Sequence, residues 1–393
     1  MKKCFVFTFI LFFSFTGLIA QNYAVGYKYE TLRDVSRNRN IPVLIYYPAT
    51  ATGANQPALH NGNKFPVVSF GHGFLMKGEE FTYLAQKFCP KGYIFIFPKS
   101  EEGLPPNHGE FGKDEVFCAL DMVRRDTLTN DFFNGIVADK KAIGGHSMGG
   151  GAAFLGLQNN PDIDAFFTLA PAETFIGGSA VTAAKTIRIP GLVFTGTLDK
   201  VAPRGGNGGS MYNNLISTCK TLIEIKGASH CGFSNETPDV CEVGELAVCL
   251  GCSFISNADQ HATVFKYLEP WLNYWLKGTS SGLSTIATQG VTDTKIIFTN
   301  SCTVTAIKNY DKLDDKSIQL FPNPTSTSLQ VQSIYAVSKI EIWSMDGKLM
   351  QEVENRWMPN EVIQLPASNL QKGMYLVRSY TDQGIAVKSI IIQ

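Results

Sequence analysis

The sequence carries no excess charge of either sign. Its 393 residues include 34 lysines and arginines and 34 aspartates and glutamates, so the formal net charge at pH 7 is zero. We therefore expect neither a nucleic acid nor an anionic membrane as partner, because both are bound mainly through surplus basic side chains. Beyond the first 20 residues, no run reaches the roughly 20 apolar residues that are needed to span a bilayer. These absences favour a small neutral substrate.

The N-terminus has the three-part pattern of a secretory signal peptide. Lys2 and Lys3 precede an apolar run from Phe5 to Phe15, and small residues follow it. We expect residues 1–20 to be removed on export, so that the mature chain begins near Gln21.

The cysteines that remain after signal removal form an even set. In an exported protein such a set predicts disulfide bonds. The spacing of Cys249 and Cys252 also fits half of a zinc site or a redox pair, but an oxidising compartment favours the disulfide. We expect the cysteines between 231 and 252 to pair within that segment, and we expect no metal site. The eight residues are Cys89, Cys118, Cys219, Cys231, Cys241, Cys249, Cys252 and Cys302.

Short apolar runs alternate with helical patterns from Ile41 to Tyr274. This alternation is typical of an α/β fold with a doubly wound, mostly parallel sheet, and the continuous apolar runs indicate strands buried on both faces. We assign residues 21–278 to this domain. The expected strands are 41–48, 64–73, 92–98, 140–147, 164–171, 190–199 and 221–230. The expected helices are 79–88, 114–125, 148–157, 211–217 and 261–276.

The character of the sequence changes after Gly278. Residues 279–316 are rich in threonine and serine without an evident helical period, which predicts a linker or β-rich connector. Short alternating strands then recur between Asn-Pro, Asp-Gly and Lys-Gly turns, so we expect residues 317–393 to form a small all-β sandwich. This segment has no cluster of acid and base groups, which indicates a module without an active site.

A serine between glycines follows the fourth expected strand. The motif GHSMG, residues 145–149, lies between an apolar strand and helix-forming residues, which is the setting of a nucleophile elbow. A plain tight turn is the alternative, because such a motif arises by chance in a glycine-rich chain. In an elbow the backbone at Ser147 is strained, and side chains at positions 145 and 149 would collide with it. The amide of Met148, at the helix N-terminus, would then face a developing negative charge.

A serine hydroxyl needs a base to accept its proton, and the chain contains six histidines. His230 is the one that ends the last expected strand of the sheet, where this architecture places the base. Asp199 ends the preceding strand and lies between Ser147 and His230 in chain order, as the orienting acid requires. The competing acids are expected to be solvated surface carboxylates. They are Asp162, Asp164, Glu173 and Glu224.

A second oxyanion donor is expected in the loop after the second strand. Gly71 and Gly73 allow a sharp backbone reversal there, which would direct the amide of Phe74 to the same oxygen as the amide of Met148. The side chain of Phe74 is then free to line the substrate pocket.

Residues 41–276 resemble the α/β-hydrolase fold, and more narrowly the cutinase-like polyester hydrolases (PET-hydrolase-like) related to dienelactone hydrolases. The resemblance implies Ser147, Asp199 and His230 as the triad, and no cofactor. It also implies Phe74 and Met148 as the oxyanion amides. The motifs that carry it are GHGF (71–74), GHSMGG (145–150), LDKVAP (198–203) and GASH (227–230).

One loop departs from that family's pattern. Where those enzymes usually carry a tryptophan that stacks on the substrate, this chain reads APAETF over residues 170–175. We therefore do not expect a preference for aromatic polyesters, whereas we do expect hydrolysis of esters in general.

Residues 317–393 resemble the type IX secretion sorting domain of certain Gram-negative bacteria. Stretches 320–324, 345–348 and 370–375 match its pattern. The resemblance implies the type IX secretion machinery as a partner and export through the periplasm to the outside or the cell surface. An ordinary accessory β-domain is the alternative.

The sequence thus predicts a secreted, monomeric serine carboxylester hydrolase that acts on polyesters or on short-to-medium acyl esters. Two other functions stay open. One is a serine peptidase or amidase with the same triad, and the other is a non-catalytic surface binding protein that retains the scaffold.

Overall fold

The computed structural model describes residues 22–235, 240–302, 313, 315–345, 348–381 and 384–393. The described residues form two compact units, and the boundary between them falls between residues 303 and 304. The expected signal peptide and the expected Asp-Gly turn at 346–347 lie outside the described residues. In the described part of the chain, no helix is both long and apolar enough to cross a membrane.

One large sheet runs through the first unit. Within the described residues it has ten strands, in the order β10-β9-β8-β7-β6-β4-β5-β2-β1-β3. Neighbours from β9 to β5 pair in parallel, whereas β2 and β10 pair antiparallel to the two ends of this parallel block. The strands are β1 (Ala24–Asp34), β2 (Arg39–Ala49), β3 (Gly53–Ala54), β4 (Phe65–Gly71), β5 (Ile94–Pro98), β6 (Val137–His146), β7 (Ala165–Leu169), β8 (Gly191–Gly196), β9 (Lys220–Ile225) and β10 (Ile296–Asn300).

Helices cover both faces of this sheet, as the continuous apolar strands predict. The helices are α1 (Thr82–Phe88), α2 (His108–Arg125), α3 (Met148–Leu157), α4 (Ala180–Ala184), α5 (Gly208–Asn214), α6 (Val240–Val248), α7 (Asn257–Lys277) and α8 (Gly282–Thr292). On one face, Ile96 of β5 shares a buried cluster with Met122 of α2. On the other face, the ring of Phe95 stacks on Phe88 of α1, which also contacts Phe265 of α7. The expected α/β class and doubly wound sheet are confirmed.

The chain order creates a switch point beside β4. From β4 the chain first adds β5 on one side and then returns to add β6 on the other. The loops that leave the carboxyl ends of β4 and β6 therefore diverge, and a crevice opens between them. Ligands bind at such crevices in open α/β sheets.

The segment 279–316 differs from the expected connector without helical period. Helix α8 lies within it, and β10 joins the large sheet as an antiparallel edge strand on β9. In α8, the buried residues Leu283, Ile286 and Gly290 recur at three- and four-residue steps among threonine and serine. This apolar stripe is too narrow to stand out in the sequence, although it is sufficient for a helix that covers one edge of the domain.

The disulfides agree in part with the sequence prediction. Pairing within the 231–252 segment is confirmed, because Cys231 bonds Cys241 and Cys249 bonds Cys252. The second bond occupies both sulfur atoms that the zinc alternative would require. A third bond, between Cys219 and Cys302, ties the end of β10 to the start of β9.

Cys89 and Cys118 are free thiols, which corrects the expectation that the whole even set is paired. Both are fully buried. Cys89 directly follows α1 on one face of the sheet, whereas Cys118 lies in α2 on the other, so the sheet itself separates the two sulfur atoms.

The second unit is all-β, as expected. Within the described residues, its strands form two antiparallel sheets, with the orders β11-β12-β15 and β14-β13-β16-β17. Apolar residues from both sheets, including Val331 and Val377, form one buried cluster. The strands are β11 (Ile318–Phe321), β12 (Ser328–Ser333), β13 (Val337–Ser344), β14 (Leu349–Trp357), β15 (Val362–Pro366), β16 (Gly373–Thr381) and β17 (Ile385–Ile392).

Candidate active site

Ser147 lies in a strained turn between β6 and α3. Its φ is 51° and its ψ is −114°, in the region that non-glycine residues rarely occupy. A Cβ atom at Gly145 would lie 2.4 Å from the carbonyl carbon of Gly149, and one at Gly149 would lie 2.5 Å from that of Gly71. Both flanking positions therefore need glycine on steric grounds, which is the geometry of a nucleophile elbow.

His230 and Asp199 are in direct contact. The Nδ1–H of His230 donates to Asp199 Oδ2 at 2.8 Å, and both side chains are almost fully buried. Asp199 Oδ1 accepts the backbone N–H groups of Val201, at 3.0 Å, and Ala202, at 2.7 Å. Because these contacts hold the carboxylate, the imidazole is fixed in the tautomer that leaves Nε2 with its lone pair.

Two clefts meet at Ser147. The first has a volume of about 390 Å³ and is lined by Ser147, His230 and Phe74, with α6 as one wall. The second has a volume of about 430 Å³ and is lined by Ser147, Phe74 and Met148. The structure thus brings four of the five predicted site residues to one crevice and places the fifth, Asp199, behind His230.

The amides of Met148 and Phe74 both lie beside this crevice. Met148 is the first residue of α3, so its N–H group has no acceptor within the helix. Phe74 follows β4 in the loop next to the elbow, and its side chain is half exposed. Among the described residues, neither amide donates a hydrogen bond to a protein acceptor. Two free donors beside a serine can stabilise a negatively charged oxygen.

The loop that carries His230 is held through its backbone by two side chains that the sequence does not predict as site residues. Gln260 of α7 accepts the N–H of Ser229 at 3.1 Å and donates to the carbonyl of the same residue at 3.0 Å. Glu245 of α6 accepts the N–H groups of His230 and Cys231. No spacing in the sequence points to these contacts, because they depend on how α6 and α7 fold back over the loop.

His146 holds the same loop from the strand side. Its Nε2–H donates to the carbonyl oxygen of His230 at 3.0 Å, and its Nδ1 faces the loop at Gly73. Burial and the neighbouring His230 lower the pKa of His146 well below 6.5, so this ring is neutral. His146 is fully buried beneath the elbow and lines neither cleft.

The two clefts are predominantly apolar at their mouths. Leu104, Phe175 and Ile176 are exposed at the second cleft, and Phe175 has 87% of its surface accessible. Val248 of α6 and Val201 are exposed at the first. Such clustering of exposed apolar side chains around one crevice is characteristic of a surface that binds an apolar ligand.

Glu173 lies in the loop 170–175, which follows β7. Its carboxylate accepts the N–H of Val181 in the first turn of α4 at 2.9 Å, although the residue also lines the second cleft. The other competing acids form ion pairs away from the crevice, but only Asp162 is exposed as expected, since the side chains of Asp164 and Glu224 are 17% and 13% accessible. The ion pairs are Asp162 with Lys141, Asp164 with Lys140 and Glu224 with Arg204.

Two family models match separate parts of the chain. Residues 41–266 match the model of a family described as PET hydrolase-like. Residues 319–393 match the model of the secretion system C-terminal sorting domain.

Similar proteins include several cutinases. Cutinase est1 of Thermobifida alba is 24% identical over 187 residues, which cover 47% of this chain and 56% of that protein. Cutinase 1 of Thermobifida cellulosilytica is 25% identical over 215 residues, which cover 54% and 73%. A cutinase of Thermobifida fusca is also 25% identical over 215 residues, which cover 54% and 64%. The chain therefore spans little more than half the length of some of these relatives.

Proposed function

Because the chain belongs to the PET hydrolase-like family, we propose that it is a secreted serine carboxylester hydrolase whose triad is Ser147, His230 and Asp199. One observation carries the proposal. The contact of 2.8 Å between His230 Nδ1 and Asp199 Oδ2 lies behind a cleft that is lined by both His230 and the elbow residue Ser147. A base that is oriented by an acid and shares a cleft with a strained serine is suited to nucleophilic catalysis.

The acylation step begins with the lone pair on His230 Nε2. This nitrogen takes the proton from Ser147 Oγ as the oxygen attacks the ester carbonyl carbon. The carbonyl oxygen becomes an oxyanion, which the N–H groups of Phe74 and Met148 stabilise. Asp199 stabilises the imidazolium. When the bond to the leaving alcohol breaks, the imidazolium returns its proton to the alcohol oxygen, and an acyl-serine remains.

Deacylation repeats these steps with water as the nucleophile. His230 takes a proton from water, the hydroxide attacks the acyl carbonyl, and the same two amides stabilise the second oxyanion. Ser147 leaves with a proton from His230, and the carboxylic acid is released. Each proton and electron pair in this cycle is supplied by the protein, water or the ester, so the cycle needs no cofactor.

The two clefts support an uncharged ester with apolar groups on both sides of the scissile bond. Polyesters and short-to-medium acyl esters have this chemistry, and cutinases are among the similar proteins. In the loop 170–175 the carboxylate of Glu173 is bonded to the first turn of α4, and the one aromatic ring is that of Phe175, which is exposed at the second cleft. Because this loop offers a phenyl ring in place of the larger indole of tryptophan, we propose polyesters without aromatic rings, and simple acyl esters, ahead of aromatic polyesters.

The second unit suggests how the enzyme reaches its substrate. Because residues 319–393 match a sorting domain, we propose that the type IX secretion machinery exports the chain through the periplasm to the medium or the cell surface. We propose the monomer as the active form, since every side chain in the cycle comes from one chain.

Substitution of Ser147 tests the proposal. Ser147→Ala should abolish turnover of a chromogenic short-chain ester and covalent labelling by an organophosphonate, while the circular dichroism spectrum stays that of the parent. Retained turnover would refute the nucleophile. Peptide hydrolysis that exceeds ester hydrolysis would identify a peptidase, and a parent protein that is neither labelled nor active would identify a binding protein.

A further inference from the structure

Glu245 has an unusual position for a carboxylate in a surface helix. In α6 its side chain is only 3% exposed, whereas Val243 and Leu246 beside it are exposed to solvent. This is the reverse of an ordinary amphipathic helix, in which apolar residues face the core. Burial of a carboxylate is unfavourable unless hydrogen bonds compensate it, so the contacts of Glu245 explain why the helix adopts this orientation.

The contacts of Glu245 are with the loop that carries the proposed base. One carboxylate oxygen accepts the backbone N–H of His230, and the other accepts the N–H of Cys231 at 3.0 Å. Hydrogen bonds to an ionised acceptor are stronger than neutral ones. His146 donates to the carbonyl oxygen of His230 from the opposite side, so side chains hold both peptide groups that flank the imidazole.

A covalent bond attaches α6 to the same loop. Cys231, the residue after His230, forms a disulfide with Cys241 in the first turn of α6. Cys241, which forms the disulfide, and Glu245, which accepts the two hydrogen bonds, lie four residues apart in α6. Both attach the helix to residues 230 and 231 of the loop. A displacement of about 1 Å in a reacting group can cost about 100-fold in rate, so such rigid attachment matters for catalysis.

We propose that Glu245 is a positioning residue for the reaction: it holds the backbone of His230 so that the imidazole stays aligned between Asp199 and Ser147. The inference rests on the proposed function, since it presumes that His230 is the base. Glu245 does not touch the substrate in this account and acts through the peptide groups of the loop.

Two substitutions separate positioning from mere support of the cleft wall. Glu245→Ala removes both hydrogen bonds, whereas Glu245→Gln keeps the shape and one acceptor oxygen. We expect kcat for a chromogenic short-chain ester to fall by about 10- to 100-fold in the alanine variant. The glutamine variant should lose less, and KM should stay within about twofold in both. Leu246→Gln, at an exposed position of the same helix that lines neither cleft, is the control and should behave as the parent.

Other outcomes of these measurements would overturn the inference. If Glu245 only supports α6 as a wall of the cleft, KM rises and the melting temperature falls while kcat stays the same, which overturns the inference. Parental kcat in both variants also overturns it. If the alanine variant does not fold, the glutamine variant alone decides by the same criteria. A parent enzyme without Ser147-dependent ester hydrolysis would instead overturn the proposed function, and this inference with it.

Discussion

Replacement of Glu115 by glutamine should make the stability of the first unit less dependent on pH. Glu115 belongs to α2 and is fully buried. Among the described residues, neither of its carboxyl oxygens has a hydrogen-bond partner. Oε1 lies 1.8 Å from the position that a Cβ atom at Gly71 would occupy, so the carboxyl group fills the space that this glycine leaves at the end of β4. Burial, together with the neighbouring Asp114, raises the pKa of Glu115 well above its ordinary value of 4.5.

The sign of the effect follows from this raised pKa. Below pH 4.5 the carboxyl group is protonated in both the folded and unfolded states, so its contribution to stability is fully present. Above that pH the unfolded state releases the proton while the folded state keeps it, and stability falls until the pH reaches the folded pKa. The slope is about 1.4 kcal/mol per pH unit, which amounts to ~2 kcal/mol between pH 4 and pH 6. Glutamine has the same shape and does not titrate.

Urea unfolding at several pH values tests this expectation. Because the chain has two compact units, hydrogen exchange of peptides from α2 and β6 should be followed, so that the first unit is measured by itself. The difference in unfolding free energy, Glu115→Gln minus parent, should rise with pH along this slope. A difference that does not change between pH 4 and pH 6 would refute the argument. Glu110→Gln in the same helix should show the opposite sign at lower pH, below its ordinary pKa of 4.5, because Lys113 and Arg37 lower the pKa of Glu110 in the folded state.

Two further predictions follow from contacts of the first unit. Asp199→Asn should lower kcat by about 10,000-fold in the same ester assay with little loss of stability, because an amide at this position favours the wrong tautomer of His230. A loss below tenfold would contradict the role of Asp199. Cys219→Ala combined with Cys302→Ala should lower the unfolding free energy by up to about 4 kcal/mol in urea, since the bond closes a loop between residues 83 positions apart. An unchanged midpoint would show that β10 does not depend on this covalent tie.

The sequence predicts most of the architecture, because β-strands buried on both faces leave a distinct signal. The all-buried strands β4, β5, β7 and β8 are all recognisable as apolar runs. Helices α4, α6 and α8 are not expected from the sequence, since two of them have nine residues or fewer and α8 has a narrow apolar stripe among polar residues. Strand β1 also escapes prediction, because its exposed and buried positions do not form a continuous apolar run.

Some residues of the candidate site are predictable from the sequence and others are not. The elbow, the acid and the histidine are predictable because each follows a recognisable strand, and the structure brings Asp199 and His230 into contact. Their catalytic roles stay predictions until the substitutions are made. Glu245, Gln260 and Glu115 could not be found from the sequence. The residue type does not show whether a carboxylate or amide side chain is buried or solvated. Only the tertiary fold decides which backbone groups such a side chain contacts.

The separation of Cys89 from Cys118 has a consequence for how this chain matures. Until the sheet is assembled, both thiols compete for the six cysteines that become bonded, so oxidation before closure would trap wrong pairs. Once the sheet is closed, an alkylating reagent reaches neither sulfur. The fraction of molecules that carry an alkylated sulfur, read by mass spectrometry, would therefore measure how much of the protein has an opened sheet. This measurement needs no substrate.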